Sequence, residues 1–223
     1  IIEETRSENS QTRVQTRELN QRDAEYLISF FPKVVKTNHN REPLEIRNLL
    51  IGYLLYTTGL RASELLSLNW GSFRYNRQGY LYADVIGKGN KPRTIPIKEE
   101  TESLLFKYRK SLGESTEIDP DDISPLFFAM YNKIKLTENK KRLTYPSLYK
   151  IVKEAVSLAG KHAKVSPHWF RHTFVTMMLE NDVPLAIVKD LAGHSDISTT
   201  NIYLERINQD NTHIHLQKVN LFK

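Results

Sequence analysis

The 223 residues contain no cysteine, which excludes disulfides and thiolate metal sites and suits a reducing, cytoplasmic setting. Long apolar runs are missing too. Nothing approaches the ~20 residues that span a bilayer, and no secretory apolar segment stands at the start, so no membrane partner is expected. Internal repeats and low-complexity tracts are absent, which excludes solenoid and fibrous classes. An initiating Met is also absent, and a chain that starts at Ile1 reads as a fragment or processed product. What remains is ordinary globular material. An apolar share of 39% with two Trp is enough for a packed core, and the length fits one sizeable domain, or one with a small appendage.

The net charge of +6 permits a polyanionic partner, and its distribution says more. Nine Lys/Arg face only Glu138 and Glu154 between Lys133 and Lys164, a local excess of +7, whereas Glu114 to Asp122 holds five acids and no base. Such separation fits a chain with one face toward nucleic acid, or simply solvated helices and loops.

Residues 1–18 are polar, with Val14 the only apolar residue after Ile2, and read as a linker or remnant. Asn20 is an N-cap for a helix carrying Ala24, Leu27, Ile28 and Phe31, with Pro32 as its stop. Pro43 to Thr57 is apolar all round, the mark of a buried central helix, and Gly59 fits its end. A second helix follows with Leu60, Leu65, Leu66 and Leu68 inward and Trp70 closing the turn. The period then changes: Phe73–Tyr75, Tyr80–Ile86 and Arg93–Ile97 predict three short antiparallel strands joined by turns at 76–79 and 87–90. Helices are expected over Glu99–Leu112, Tyr145–Ala159, Ser166–Glu180, Val183–Gly193 and from Asp196 or Ser198 through Tyr203, the third opening on an N-cap and first-turn proline pair. Leu126 to Met130 is a short apolar run. The fold class is α+β, predominantly helical. A tail after Ile207 keeps Ile214, Leu216, Val219, Leu221 and Phe222, too apolar for a simply solvated end.

The residues with chemical potential concentrate late in the chain. His168 and Arg171 lie three apart on one helical face, in first turns where the macrodipole disfavours cations unless an anion is present. An isolated H-x-x-R is equally compatible with a capping histidine and a paired arginine. His168 and His172 are also spaced as a metal pair. The zincin pattern needs Glu directly after the first His, where Trp169 stands, and no third ligand follows in sequence. His194 follows Gly193 at a helix end. Tyr203 is one of eleven tyrosines, and a phenol of pKa about 10 needs help to act as a nucleophile. Upstream, Arg61 shares a helical face with Glu64, and Lys88 stands between two glycines at a hairpin tip. Each alone has a structural reading: an exposed ion pair for the first, a turn lysine for the second.

Taken in order, T-G-L-R-A-S-E-L around Arg61, G-K-G-N-K-P-R around Lys88, H-W-F-R-H-T at His168 and Arg171, L-A-G-H at His194 and S-D-I-S-T-T-N-I-Y at Tyr203 resemble the tyrosine recombinase/phage integrase family, which includes Xer-type recombinases. The resemblance runs from about Leu19 to Leu204. It implies the catalytic domain over 19–206, with a small sheet, a missing N-terminal core-binding domain, and a tail at 207–223 that packs in cis or on a neighbouring protomer.

The resemblance further implies metal-independent, cofactor-independent DNA transesterification on double-stranded DNA. Tyr203 is the nucleophile, and Arg61, Arg171 and His194 bind the phosphate. His168 is placed to accept the phenol proton, Lys88 to protonate the leaving 5′-oxygen, and Glu64 to orient Arg61 or a histidine. Lys91, Arg93, Lys140, Lys141 and Arg142 are expected along the DNA backbone, and a tetramer on two DNA sites as the working assembly. A type IB topoisomerase-like relaxing enzyme, a non-catalytic DNA-binding regulator of the same fold and a metal-dependent nuclease are the alternatives. Tyr203, on a short late helix, is expected to stand away from His168 and Arg171 until DNA and a partner protomer are bound.

Overall fold

The structure is a computed structural model that describes residues 17–87, 89–130 and 140–210. Helix α1 (Gln21–Ile28) starts at Asn20, whose Oδ1 accepts from the Asp23 N–H at 2.8 Å, as its cap role requires. Pro32 does not end this helix but opens a separate 3₁₀ turn, Pro32–Val34. Helix α2 (Arg41–Thr58) is the central element and buries residues on every side, from Leu44 through Leu55. The short α3 (Ala62–Ser67) sends Leu65 and Leu66 into the same core.

The sheet is antiparallel in the order β1–β2–β3, with β1 at Phe73–Tyr75, β2 at Leu81–Ile86 and β3 at Pro92–Pro96. Along β2 the inward set is Leu81, Ala83 and Val85, the alternation that a half-buried strand dictates. Helix α4 (Glu99–Ser111) packs on α2. After it the acidic segment folds back rather than spreading into solvent: Arg109 binds Glu114 and Asp122, each at 2.7 Å. The run from Leu126 is buried but forms no strand, only isolated bridges that pair Phe128 with Arg142 and Asn69 with Pro125.

Helices α5 (Tyr145–Leu158), α6 (Pro167–Glu180), α7 (Leu185–Ala192) and α8 (Ile197–Asp210) complete the fold. Helix α8 runs seven residues beyond Tyr203, and the rest of the expected tail lies outside the described residues. Two apolar clusters result. The main one joins α1 to α5, the sheet and Phe170 of α6. The second is small, built from Phe174, Val175, Leu179, Val188, Ala192 and Ile207, with Tyr203 packed at its edge. Among the described residues no helix is long and apolar enough to cross a membrane.

Candidate active site

The site begins with a capping box. Arg61 is the N-cap of α3, and Glu64 accepts the Arg61 N–H on Oε2 at 2.8 Å. That local bond fixes a carboxylate which then serves two guanidinium groups. Its Oε1 accepts from Arg61 Nη1 and from Arg93 Nη1, both at 2.9 Å, and its Oε2 accepts from Arg93 Nη2 at 2.8 Å. Burial alone would raise the pKa of Glu64, but the hydrogen bonds from Arg93 and Arg61 and the Arg93 charge win and hold it at about 2.

Two left-handed glycines bring the other pieces to this carboxylate. Gly193 ends α7 at φ +65°, and a Cβ there would stand 2.8 Å from the Arg93 guanidinium carbon. Its carbonyl accepts from Arg61 Nη2 at 3.0 Å, while the Leu191 carbonyl accepts from Arg93 Nε at 3.2 Å. The His194 N–H returns to the Lys189 carbonyl, so the same helix end positions His194. Gly59 ends α2 at φ +61°, where a Cβ would overlap the Phe174 ring at 2.4 Å. Its carbonyl accepts from Arg171 Nη1 at 2.9 Å. Each site arginine is thus held by a carbonyl at the negative end of a helix dipole.

Arg171 is 3% exposed, yet among the described residues no carboxylate forms an ion pair with it, and its Nη2 is buried with no hydrogen-bond partner. Burial, then the Arg61 charge, lowers its pKa to about 10, which leaves it cationic at neutral pH. Arg61 and Arg93 thus share the single charge of Glu64, and Arg171 has no carboxylate bonded to it among the described residues. A buried cation without compensation is costly, so this pocket is built to receive an anion.

The Tyr203 ring lies between two histidines. It stacks on His194 with centroids 6.4 Å apart, and its hydroxyl is hydrogen-bonded to His172 Nδ1. His172 was considered in sequence only as half of a metal pair. Here it stands where His168 was expected, because α8 meets α6 one turn further along; His168 is the next ring, 4.3 Å from His172. The histidines lack a third metal ligand among the described residues. Burial, followed by the charge of His168 and nearby arginines, lowers the His172 pKa to about 4. His194 is also lowered to about 4, by burial and then by Arg171, Arg61 and Arg93. Both are neutral at pH 7. Burial raises the Tyr203 pKa, against the pull of Arg171 and Arg206. His194 Nδ1 is bonded to Thr200 Oγ1 at 2.8 Å, which ties the α7 end to α8.

Arg61, Glu64, His168, Arg171, His194 and Tyr203 are thus gathered on adjoining elements; Lys88 lies outside the described residues. Its flanking glycines, Gly87 and Gly89, line a groove of about 510 Å³ together with Arg61, Lys91 and His194. Lys91 and Lys141 are exposed. Other expected backbone contacts are committed elsewhere. Arg93 is bound to Glu64, Lys140 pairs with Glu114, and Arg142 donates to the Leu66 and Leu68 carbonyls and to Asn69 Oδ1 at 2.7, 2.9 and 2.5 Å. Part of the basic stretch, 131–139, lies outside the described residues.

Arg93 carried a readable signal. It stands two residues before Ile95, hence on the inward face of β3, where a cation requires a buried carboxylate.

Residues 18–209 match the model of the phage integrase family. The tyrosine recombinase XerA of Pyrococcus furiosus is 39% identical over 159 residues, 71% of this chain and 50% of that protein. XerC of Pediococcus pentosaceus is 33% identical, with the same coverage. The chain spans about half the length of the curated relatives it matches. Among solved structures, the XerH site-specific recombinase bound to its palindromic difH substrate superposes with a TM-score of 0.66 at 26% identity, covering 84% of this chain and 48% of that one. The catalytic domain of bacteriophage HP1 integrase shares the fold, with a TM-score of 0.53 at 20% identity, covering 84% and 86%.

Proposed function

The chain belongs to the phage integrase family, and from that premise we propose that it is the catalytic part of a site-specific DNA recombinase, working through a 3′-phosphotyrosyl intermediate. The observation that carries this reading is the shortage of negative charge: two arginines on one carboxylate, and a third, Arg171, held by the Gly59 carbonyl with its Nη2 buried and unpaired. A scissile phosphodiester supplies the missing anion. Arg61 and Arg171 donate to its non-bridging oxygens, with planar forks suited to that geometry. His194, held by Thr200, adds a donor.

In the first step the Tyr203 oxygen forms a bond to phosphorus while the bond from phosphorus to the 5′-oxygen breaks. The phenol proton passes first to His172, its hydrogen-bond partner. The 5′-oxygen takes a proton from Lys88, a role that rests on the family resemblance. A 5′-hydroxyl from the same or another strand reverses the step, so bond energy is conserved and no nucleotide cofactor is consumed.

Double-stranded DNA is the substrate, met by the exposed Lys91 in the groove and by the exposed Lys141. A core-binding domain preceding residue 19, a tetramer on two sites and a cytoplasmic setting complete the proposal. Incubation with nicked suicide duplexes made from the DNA flanking the gene, in EDTA, tests it. Wild-type protein is expected to form an adduct that survives denaturation, whereas Tyr203→Phe binds the duplex and forms none. An adduct of equal yield from Tyr203→Phe would remove the nucleophile assignment.

A further inference from the structure

The geometry points to Arg93 as a positioning residue that sets Arg61 and the Gly193–His194 turn, rather than as a contact to the DNA backbone; this deepens the cleavage reading above and rests on it. Arg93 joins three elements at once: β3 carries it, its fork grips both oxygens of Glu64 on α3, and its Nε holds the Leu191 carbonyl at the end of α7. Arg61 completes a closed ring by bonding Glu64 and the Gly193 carbonyl. Gly193 lies against the Arg93 guanidinium so closely that a Cβ would stand within 2.8 Å of it. The Arg93 side chain is 12% exposed and Glu64 4%, so this fork is largely withdrawn from DNA, whereas the Arg61 side chain keeps 30% exposure. A planar fork is required. Lysine at this position has one nitrogen for three acceptors spread over two elements. Without the fork, Glu64 retains only Arg61, and the α7 end loses its tie to β3. The turn that carries both the Gly193 carbonyl and His194 is then unanchored on that side.

The test compares Arg93→Lys, Arg61→Ala and the double variant on suicide duplexes, with binding to a random-sequence duplex followed across salt. We expect R93K to slow adduct formation about 10²-fold, the scale of a displacement near 1 Å, with affinity and salt slope unchanged. In the Arg61→Ala background the added loss is smaller, since the part of the Arg93 effect that acts through Arg61 is already gone. A loss that multiplies fully in the double variant would overturn the proposal. So would a salt slope lower by about 0.9 with the rate restored at saturating DNA, the signature of a phosphate contact. If wild-type protein forms no adduct, the cleavage reading fails separately. A crystal structure of the DNA-free R93K variant still decides the positioning claim: loss of the Arg61–Gly193 bond supports it, and a retained bond overturns it.

Discussion

Arg61, Glu64 and Arg93 rest on the main core through α3 and β3, whereas Tyr203 rides on α8, which packs against the small cluster of α6 and α7. The first group is cross-braced: Arg61 and Arg93 both bind the Glu64 carboxylate, and Arg93 also holds the Leu191 carbonyl of α7. The second is held by the bond to His172, by the His194–Thr200 bond, and by Arg206, which pairs with Glu18 and lies over the Tyr203 ring. At about 1.5–3 kcal/mol for each fully buried aliphatic side chain, the smaller cluster has far less to hold α8 than the main core has to hold α2. On the proposed reading, the group that receives the phosphate is preassembled and the nucleophile is docked on a weaker foundation. That division suits an enzyme whose nucleophile must move between a resting contact and an in-line attack.

The largest expected effect lies on the receiver. Arg171→Ala should lower the single-turnover rate of adduct formation by ~10²–10³, the range for loss of one transition-state donor. A loss under tenfold would mean that the buried guanidinium does not serve the phosphate.

Acid should separate the two regions. His172 and His194 are depressed from 6.5 to about 4, so between those values the unfolded chain binds more protons and stability rises with pH. Glu64 is depressed from 4.5 to about 2, so its contribution is complete above 4.5 and is lost as pH falls through 2. Lowering the pH should therefore loosen α8 first and the α3–β3 network later, as read by amide exchange along each element. Glu64→Gln should remove up to about 3 kcal/mol of the acid slope between pH 4.5 and 2 and leave the higher window intact. Simultaneous loss of protection in both regions would dissolve the distinction.

The smallest effect concerns the chain entering the domain. Glu18 accepts from Thr176 Oγ1 at 2.7 Å and pairs with Arg206. Glu18→Gln should cost less than about 1 kcal/mol overall, yet raise amide exchange in α8 while leaving α2 unchanged. Equal acceleration in both helices would contradict a local role.

Local signals in the sequence carried most of the fold. Asn20, Gly59, Gly193 and the two hairpin turns mark ends that backbone chemistry dictates, and the structure keeps them within a residue or two. Ser166 holds the expected cap position of α6, although its hydroxyl makes no cap bond. That α8 extends past Tyr203 was not legible, because between Tyr203 and Asp210 only Leu204 and Ile207 interrupt a polar run. The His172–Tyr203 bond spans 31 residues and the Arg93–Glu64 pair 29, so neither follows from spacing alone. Sequence order could mark the motif residues; only packing reveals which histidine receives the phenol and which arginine has been withdrawn from the surface.

The most direct measurement is peptide mapping of the trapped protein–DNA adduct by mass spectrometry. Of the eleven tyrosines in the chain, the account predicts that the 3′-phosphate is linked to Tyr203 alone. A phosphotyrosyl link at any other tyrosine, or a 5′-phosphate link at Tyr203, would contradict it.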